Sequence, residues 1–201
     1  MSNTCYNKII LPEDTVRFLR NSLDNNKVEV SGNFLIDYDH NLDCYRLLQG
    51  DIFKDGMKDK AVIVKDRTSF HTHPKEAYIK YQVKYGIPSN YDYVAFLKCY
   101  CDENINTIFH IVSALEGLYV ISMSEDYTEL DNMTKQIKNF VMDKFGEDAE
   151  DDMSIPQYAY RMSSIKYKKK ELFNVCFIDW KNAVNTIFEV LYKKVNGKCD
   201  L

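Results

Sequence analysis

A two-residue alternation between positions 28 and 36 constrains the fold more than any other feature of the chain. Val28, Val30, Phe34 and Ile36 fall on one face of an extended segment, with Glu29, Ser31 and Asn33 on the other. That period fits a half-buried strand. Further strands are expected at 44–48, 61–65, 68–73, 107–114 and 118–122, the last two joined through Glu116-Gly117 by a short hairpin turn. Helical spacing fills the intervals: residues 12–24 align Val16, Leu19 and Leu23 behind a proline and acids, and 90–101 and 126–145 read the same way.

The last fifty residues carry a different pattern. Phe173, Phe177, Trp180, Val184, Ile187 and Leu191 recur at steps of four and three, which predicts a helix over 171–195. Its apolar stripe needs a cover, either the protein's own sheet or a partner helix. The acidic run 147–152 predicts a solvated linker, because like charges repel and nothing there can pack. The expected organisation is a domain over 1–146, an acidic linker over 147–154 and a helical C-terminal extension over 155–201.

Composition excludes several classes. With 45% apolar and 13% aromatic residues in 201, the chain is neither disordered nor of low complexity. A net charge of −4 leaves no global field for nucleic acid, and the basic cluster Lys166-Tyr167-Lys168-Lys169-Lys170 is too short to replace one. No apolar run approaches the roughly 20 residues of a membrane span, and the opening MSNTCYNKII lacks the layout of a secretion signal. Six cysteines without a C-x-x-C pair suit reduced thiols. A cytoplasmic protein without membrane or nucleic-acid partners is expected.

The chemistry concentrates in Ser69-Phe70-His71-Thr72-His73-Pro74 and, further on, Gly86-Ile87-Pro88-Ser89-Asn90-Tyr91-Asp92. Residues two apart on a strand point the same way, so His71 and His73 can present both imidazoles to one cation. Neutral imidazole suits Zn²⁺, and a catalytic site wants a third protein ligand, for which Asp92 is the candidate. Each residue also has a plainer reading. The histidines could be polar rings on a solvated strand, Ser89 and Asp92 a helix capping box, and Glu29 a carboxylate on a polar strand face.

The order of these pieces resembles the JAMM (MPN-type) zinc metalloprotease family, whose members pair an E-x-x-G strand with H-x-H-P and S-x-x-D. Here the three stand as Glu29-Val30-Ser31-Gly32, His71-Thr72-His73-Pro74 and Ser89-Asn90-Tyr91-Asp92. The resemblance implies that His71, His73 and Asp92 hold Zn²⁺, that Glu29 is the general acid/base and that Ser89 is the oxyanion donor. It also implies the α/β class, as a three-layer sandwich with a curved mixed sheet flanked by helices. The expected reaction is hydrolysis of an isopeptide or peptide bond, with ubiquitin or a ubiquitin-like modifier as substrate. The chain also looks similar to members encoded by large DNA viruses, which would place it in host cytoplasm or a virion.

One departure concerns residues 75–88, which make the spacer between the two motifs much longer than the family's common one. That stretch carries Lys75, Lys80 and Lys84 with Tyr78, Tyr81 and Tyr85. It could be a lid, a flap or docking surface, or a tolerated surface insertion. The alternative function is a non-catalytic MPN-fold interaction module, of a viral particle or multi-subunit complex, docking through its terminal helices.

Overall fold

The computed structural model describes residues 4–53, 64–102, 104–125, 135–145 and 153–193. In chain order these form β1 (Thr4–Ile10), α1 (Glu13–Asp24), β2 (Ser31–Asp39), β3 (Cys44–Phe53), β4 (Thr68–Thr72), α2 (Lys75–Tyr81), α3 (Asn90–Tyr100), β5 (Phe109–Ser113), β6 (Gly117–Met123), α4 (Lys135–Lys144), α5 (Ile155–Ser163), the short β7 (Lys166–Tyr167) and β8 (Lys170–Glu171), β9 (Phe173–Asp179) and β10 (Ile187–Lys193). No helix among them is long and apolar enough to cross a membrane.

Local signals explain the first elements. Pro12 caps α1, Glu13 and Asp14 occupy its first turn, and Val16, Phe18, Leu19 and Leu23 form its buried stripe. The alternation holds only in part: Val30, just before β2, and Phe34 are buried and Leu35 is exposed, but Ser31 of the expected polar face is buried too, and the strand begins there, two residues after Glu29. The register of β2 against β3 slips between Gly32 and Phe34, a bulge that bends the pair. The expected strand at 61–65 and the first half of the expected helix at 126–145 fall largely outside the described residues, as does the acidic run 147–152.

The three-layer sandwich is not what forms. Seven strands close into a mixed barrel in the order β10-β1-β3-β2-β4-β5-β6, with β6 returning to β10 through Leu191 and Met123, and β9 added outside along β6. Closure depends on two strands that no sequence pattern announced. β1 and β10 pair along their whole length, from Thr4 opposite Lys193 to Ile10 opposite Ile187, and β1 continues parallel onto β3. What would have been two open sheet edges satisfy each other.

The helical C-terminal extension is corrected with it. Residues 173–179 and 187–193 are strands, and the turn between them holds a 3₁₀ segment at Trp180–Asn182 and a left-handed Asn185 at φ 59°. The four-and-three stripe concealed a period of two: Phe173 and Val175 are buried around an exposed Asn174, and Phe188 and Val190 around an exposed Glu189. Aromatic and β-branched residues favour that outcome. Of the stripe, Phe173 and Leu191 are buried and Phe177 and Trp180 half-buried in the protein's own sheet, one of the two covers expected, while Val184 and Ile187 stay exposed.

Two cores result. All seven ring strands feed the inner one, through Ile9, Phe34, Leu47, Phe70, Phe109, Ile111, Leu118, Val120, Phe188 and Val190, and α1 adds Val16, Phe18 and Leu19. The outer one lies over β5, β6 and β9, where Val112, Tyr119, Ile121 and Phe173 meet Tyr93, Phe96 and Leu97 of α3, Val141 of α4 and Tyr158 of α5. Phe70 anchors the inner core, fully buried with ring centroids 5.4 Å from Phe18 and 5.1 Å from Phe34. Phe70→Ala is expected to lower the unfolding free energy by about 3–5 kcal/mol in urea titration, whereas a loss under about 1 kcal/mol would contradict this core.

Candidate metal centre

β4 is hydrogen-bonded on both sides, antiparallel to β2 with Ser31 opposite His71 and parallel to β5 with Ser69 beside His110. Because Phe70 points into the barrel, Ser69, His71 and His73 take the other face, toward α3. Pro74 then ends the strand and caps α2.

The helix N-terminus delivers the third group. Ser89 caps α3 and Asp92 occupies its third position, in a reciprocal capping box. Both the Ser89 N–H, at 2.6 Å, and its hydroxyl, at 2.8 Å, donate to Asp92 Oδ2. That leaves Oδ1 facing the histidines, 3.3 Å from His71 Nε2. His71 Nε2 and His73 Nε2 are 2.9 Å apart, and Asp92 Oδ2 is 3.9 Å from His73 Nε2. One ligand atom from each of the three residues lies within 4.8 Å of the others. The structural reading of Ser89 and Asp92 and the metal-ligand reading thus coexist.

The donor set fits a divalent cation. Ligands ~2.0–2.1 Å from a tetrahedral centre stand about 3.3 Å from one another, close to the separations seen here. His73 Nδ1 lies 3.0 Å from the Gly86 carbonyl, which can only accept, so the proton sits on Nδ1 and the Nε2 lone pair faces inward. A second nitrogen and a carboxylate oxygen are aimed at the same small volume. Two imidazoles and one carboxylate are a set that zinc takes, though not zinc alone.

Residues 75–88 are built into this centre. They contain α2, whose Tyr78 hydroxyl donates to Glu116 Oε2 at 2.6 Å, while the Gly86 N–H donates to Glu116 Oε1 at 2.8 Å. One residue, Gly86, therefore links the β5–β6 turn to His73 through its N–H and its carbonyl. A side chain there is excluded, since a Cβ would lie 2.1 Å from the Tyr78 hydroxyl oxygen. From the other side Tyr158 of α5 donates to the Pro88 carbonyl at 3.1 Å, just ahead of the Ser89 cap.

Sequence reasoning missed His110. Fully buried, it places Nε2 2.6 Å from His71 Nδ1 and Nδ1 2.8 Å from Ser69 Oγ. A lone histidine inside the apolar stretch Phe109-His110-Ile111-Val112 was the available signal, but only the strand register shows what it faces. Glu29 is not among the three converging residues. It is half-buried, one residue before Val30, whose N–H donates to Thr72 Oγ1 at 3.0 Å and whose carbonyl accepts from the Thr72 N–H.

Burial pushes His71 down to about 4, with the Asp92 charge only partly countering it, and holds His110 well below the ordinary histidine value. For Asp92 burial acts upward as the largest single influence, but the neighbouring imidazoles and the Ser89 donors together outweigh it and keep the carboxyl below its usual range. Neutral His71 and ionised Asp92 are the forms a cation requires.

No family model, no curated protein and no solved structure matches the chain.

Because folding favours neutral His71, the stability this residue contributes is whole above pH 6.5 and is lost as the pH falls toward about 4. Urea unfolding of metal-free protein is expected to weaken across that window by up to about 3 kcal/mol, and by less in His71→Asn. Equal pH dependence in the two proteins would contradict the assignment.

Proposed function

We propose that the protein is a zinc-dependent isopeptidase or peptidase acting on ubiquitin or a ubiquitin-like modifier. The observation that carries this reading is the convergence of His71 and His73 of one motif and Asp92 of a second, the two standing in JAMM order, on one cation-sized volume. The reading does not depend on the sandwich fold. Function lies in a site and not in the fold that carries it, and His71 stands on a barrel strand.

Zinc bound to these residues supplies a Lewis acid that polarises a carbonyl and acidifies water. Glu29 takes the proton from the attacking water and returns it to the departing amine, a role worth ~10²–10⁴ in rate for general acid–base groups. Ser89 supports the oxyanion by turning its hydroxyl away from Asp92 Oδ2 toward the developing charge. Its backbone N–H stays on Oδ2 at 2.6 Å, so Asp92 keeps its orientation through that change. The amine belongs to a lysine when the bond is an isopeptide, the linkage the JAMM resemblance implies.

Purified protein is expected to hold about one zinc and to cleave at least one member of a panel of ubiquitin dimers. Glu29→Gln should keep the zinc and lose at least ~100-fold in cleavage, whereas His73→Ala should lose both. Full turnover by Glu29→Gln would reject the assigned base. Zinc retained by His73→Ala would reject the ligand set.

A further inference from the structure

Behind the candidate ligands runs a chain of three buried side chains, Ser69, His110 and His71, each fully or almost fully shielded from water. The imidazoles of His71 and His110 stack with centroids 4.9 Å apart and planes 23° apart, and their facing nitrogens are 2.6 Å apart. Exactly one proton can occupy that nitrogen pair when both rings are neutral, and one more must sit between His110 and Ser69. Two arrangements satisfy this condition. In the first, His71 Nδ1–H donates to His110 Nε2 and His110 Nδ1–H donates to Ser69 Oγ. In the second, the Ser69 hydroxyl donates to His110 Nδ1, His110 Nε2–H donates to His71 Nδ1, and His71 Nε2–H points at Asp92.

Only the first leaves a lone pair on His71 Nε2. The opposite ligand shows the same logic in simpler form, since the Gly86 carbonyl accepts from His73 Nδ1–H and admits one tautomer only. For His71 the acceptor is a second imidazole, which can run in either direction.

Resting on the reading of His71, His73 and Asp92 as metal ligands, we propose that His110 is a positioning residue of the metal centre. It accepts from His71 Nδ1–H, passes its own Nδ1–H to Ser69 Oγ, and so fixes the tautomer and ring plane in which His71 Nε2 meets the cation. Outer partners of this kind orient metal-bound histidines, and their loss costs metal affinity without touching the ion. Both arrangements hold three protons, so cation binding releases none net: from the second, the His71 Nε2 proton goes to water, the His110 Nε2 proton passes to His71 Nδ1, and His110 Nδ1 takes a proton from water while Ser69 keeps its hydroxyl proton and turns it to another acceptor.

The test uses the full chain and Zn²⁺ alone. In a long-range ¹H–¹⁵N spectrum of the zinc-loaded wild type, His110 is expected to carry its proton on Nδ1, with Nε2 unprotonated. A proton on His110 Nε2 would overturn the proposal, and this measurement needs no variant to fold. Chelator competition then reads affinity: His110→Phe, which fills the space without an acceptor, is expected to weaken zinc binding ~10–100-fold, and His110→Gln, which restores a carbonyl acceptor, to recover most of that loss. Equal affinity of His110→Phe and wild type would overturn the proposal while leaving the metal centre standing. Failure of the wild type to bind zinc would instead reject the ligand reading, and His110's role with it.

Discussion

The seating of β4 between β2 and β5 is the constraint on which the candidate site depends. Its hydrogen bonds on both edges fix which way each of five residues points, so Phe70 enters the barrel core while Ser69 and His71 turn toward α3. A slip of one residue would exchange those faces, putting two imidazoles among phenylalanines and a phenyl ring at the cation position. Packing that holds Phe70 against Phe18 and Phe34 therefore also holds the histidines in place. Stability and site geometry share one register.

Around that strand, each candidate ligand is backed by a partner of its own. Asp92 is held by the Ser89 N–H and hydroxyl, His73 by the Gly86 carbonyl, and His71 by His110. Gly86 and Ser89 stand three residues apart before α3 and His110 lies on β5, and each is tied in turn to a further group: Gly86 to Glu116 on the hairpin, Pro88 just ahead of Ser89 to Tyr158 of α5, and His110 to Ser69. A geometry supported from so many sides loses little entropy on taking up an ion, because the ligand side chains are already ordered. Residues 75–88 belong to this support. They are not a free insertion, since Tyr78 and Gly86 converge on one carboxylate.

Much of the site was legible because its signals are local. Two histidines in alternation before a proline, and a serine three residues before an aspartate at a helix start, have meanings that spacing alone conveys. The fold was less legible where it depends on distant pairing. Nothing within Thr4–Ile10 reveals that it will pair with Ile187–Lys193, and the apolar residues from Phe173 to Leu191 satisfy a helical and an extended period at once. Strand pairing decided between them. His110 escaped for the same reason, because its place behind His71 follows from the parallel register of β4 and β5 and from nothing in its own neighbourhood.

X-ray absorption at the zinc edge of the metal-loaded protein tests the central claim most directly. The arrangement predicts a four-coordinate ion with two imidazole nitrogens and one carboxylate oxygen, all at ~2.0–2.1 Å, and a fourth light ligand from solvent. A spectrum with sulfur ligands at ~2.3 Å, or with no imidazole scattering, would show that the ion sits elsewhere and that these three side chains serve the fold alone.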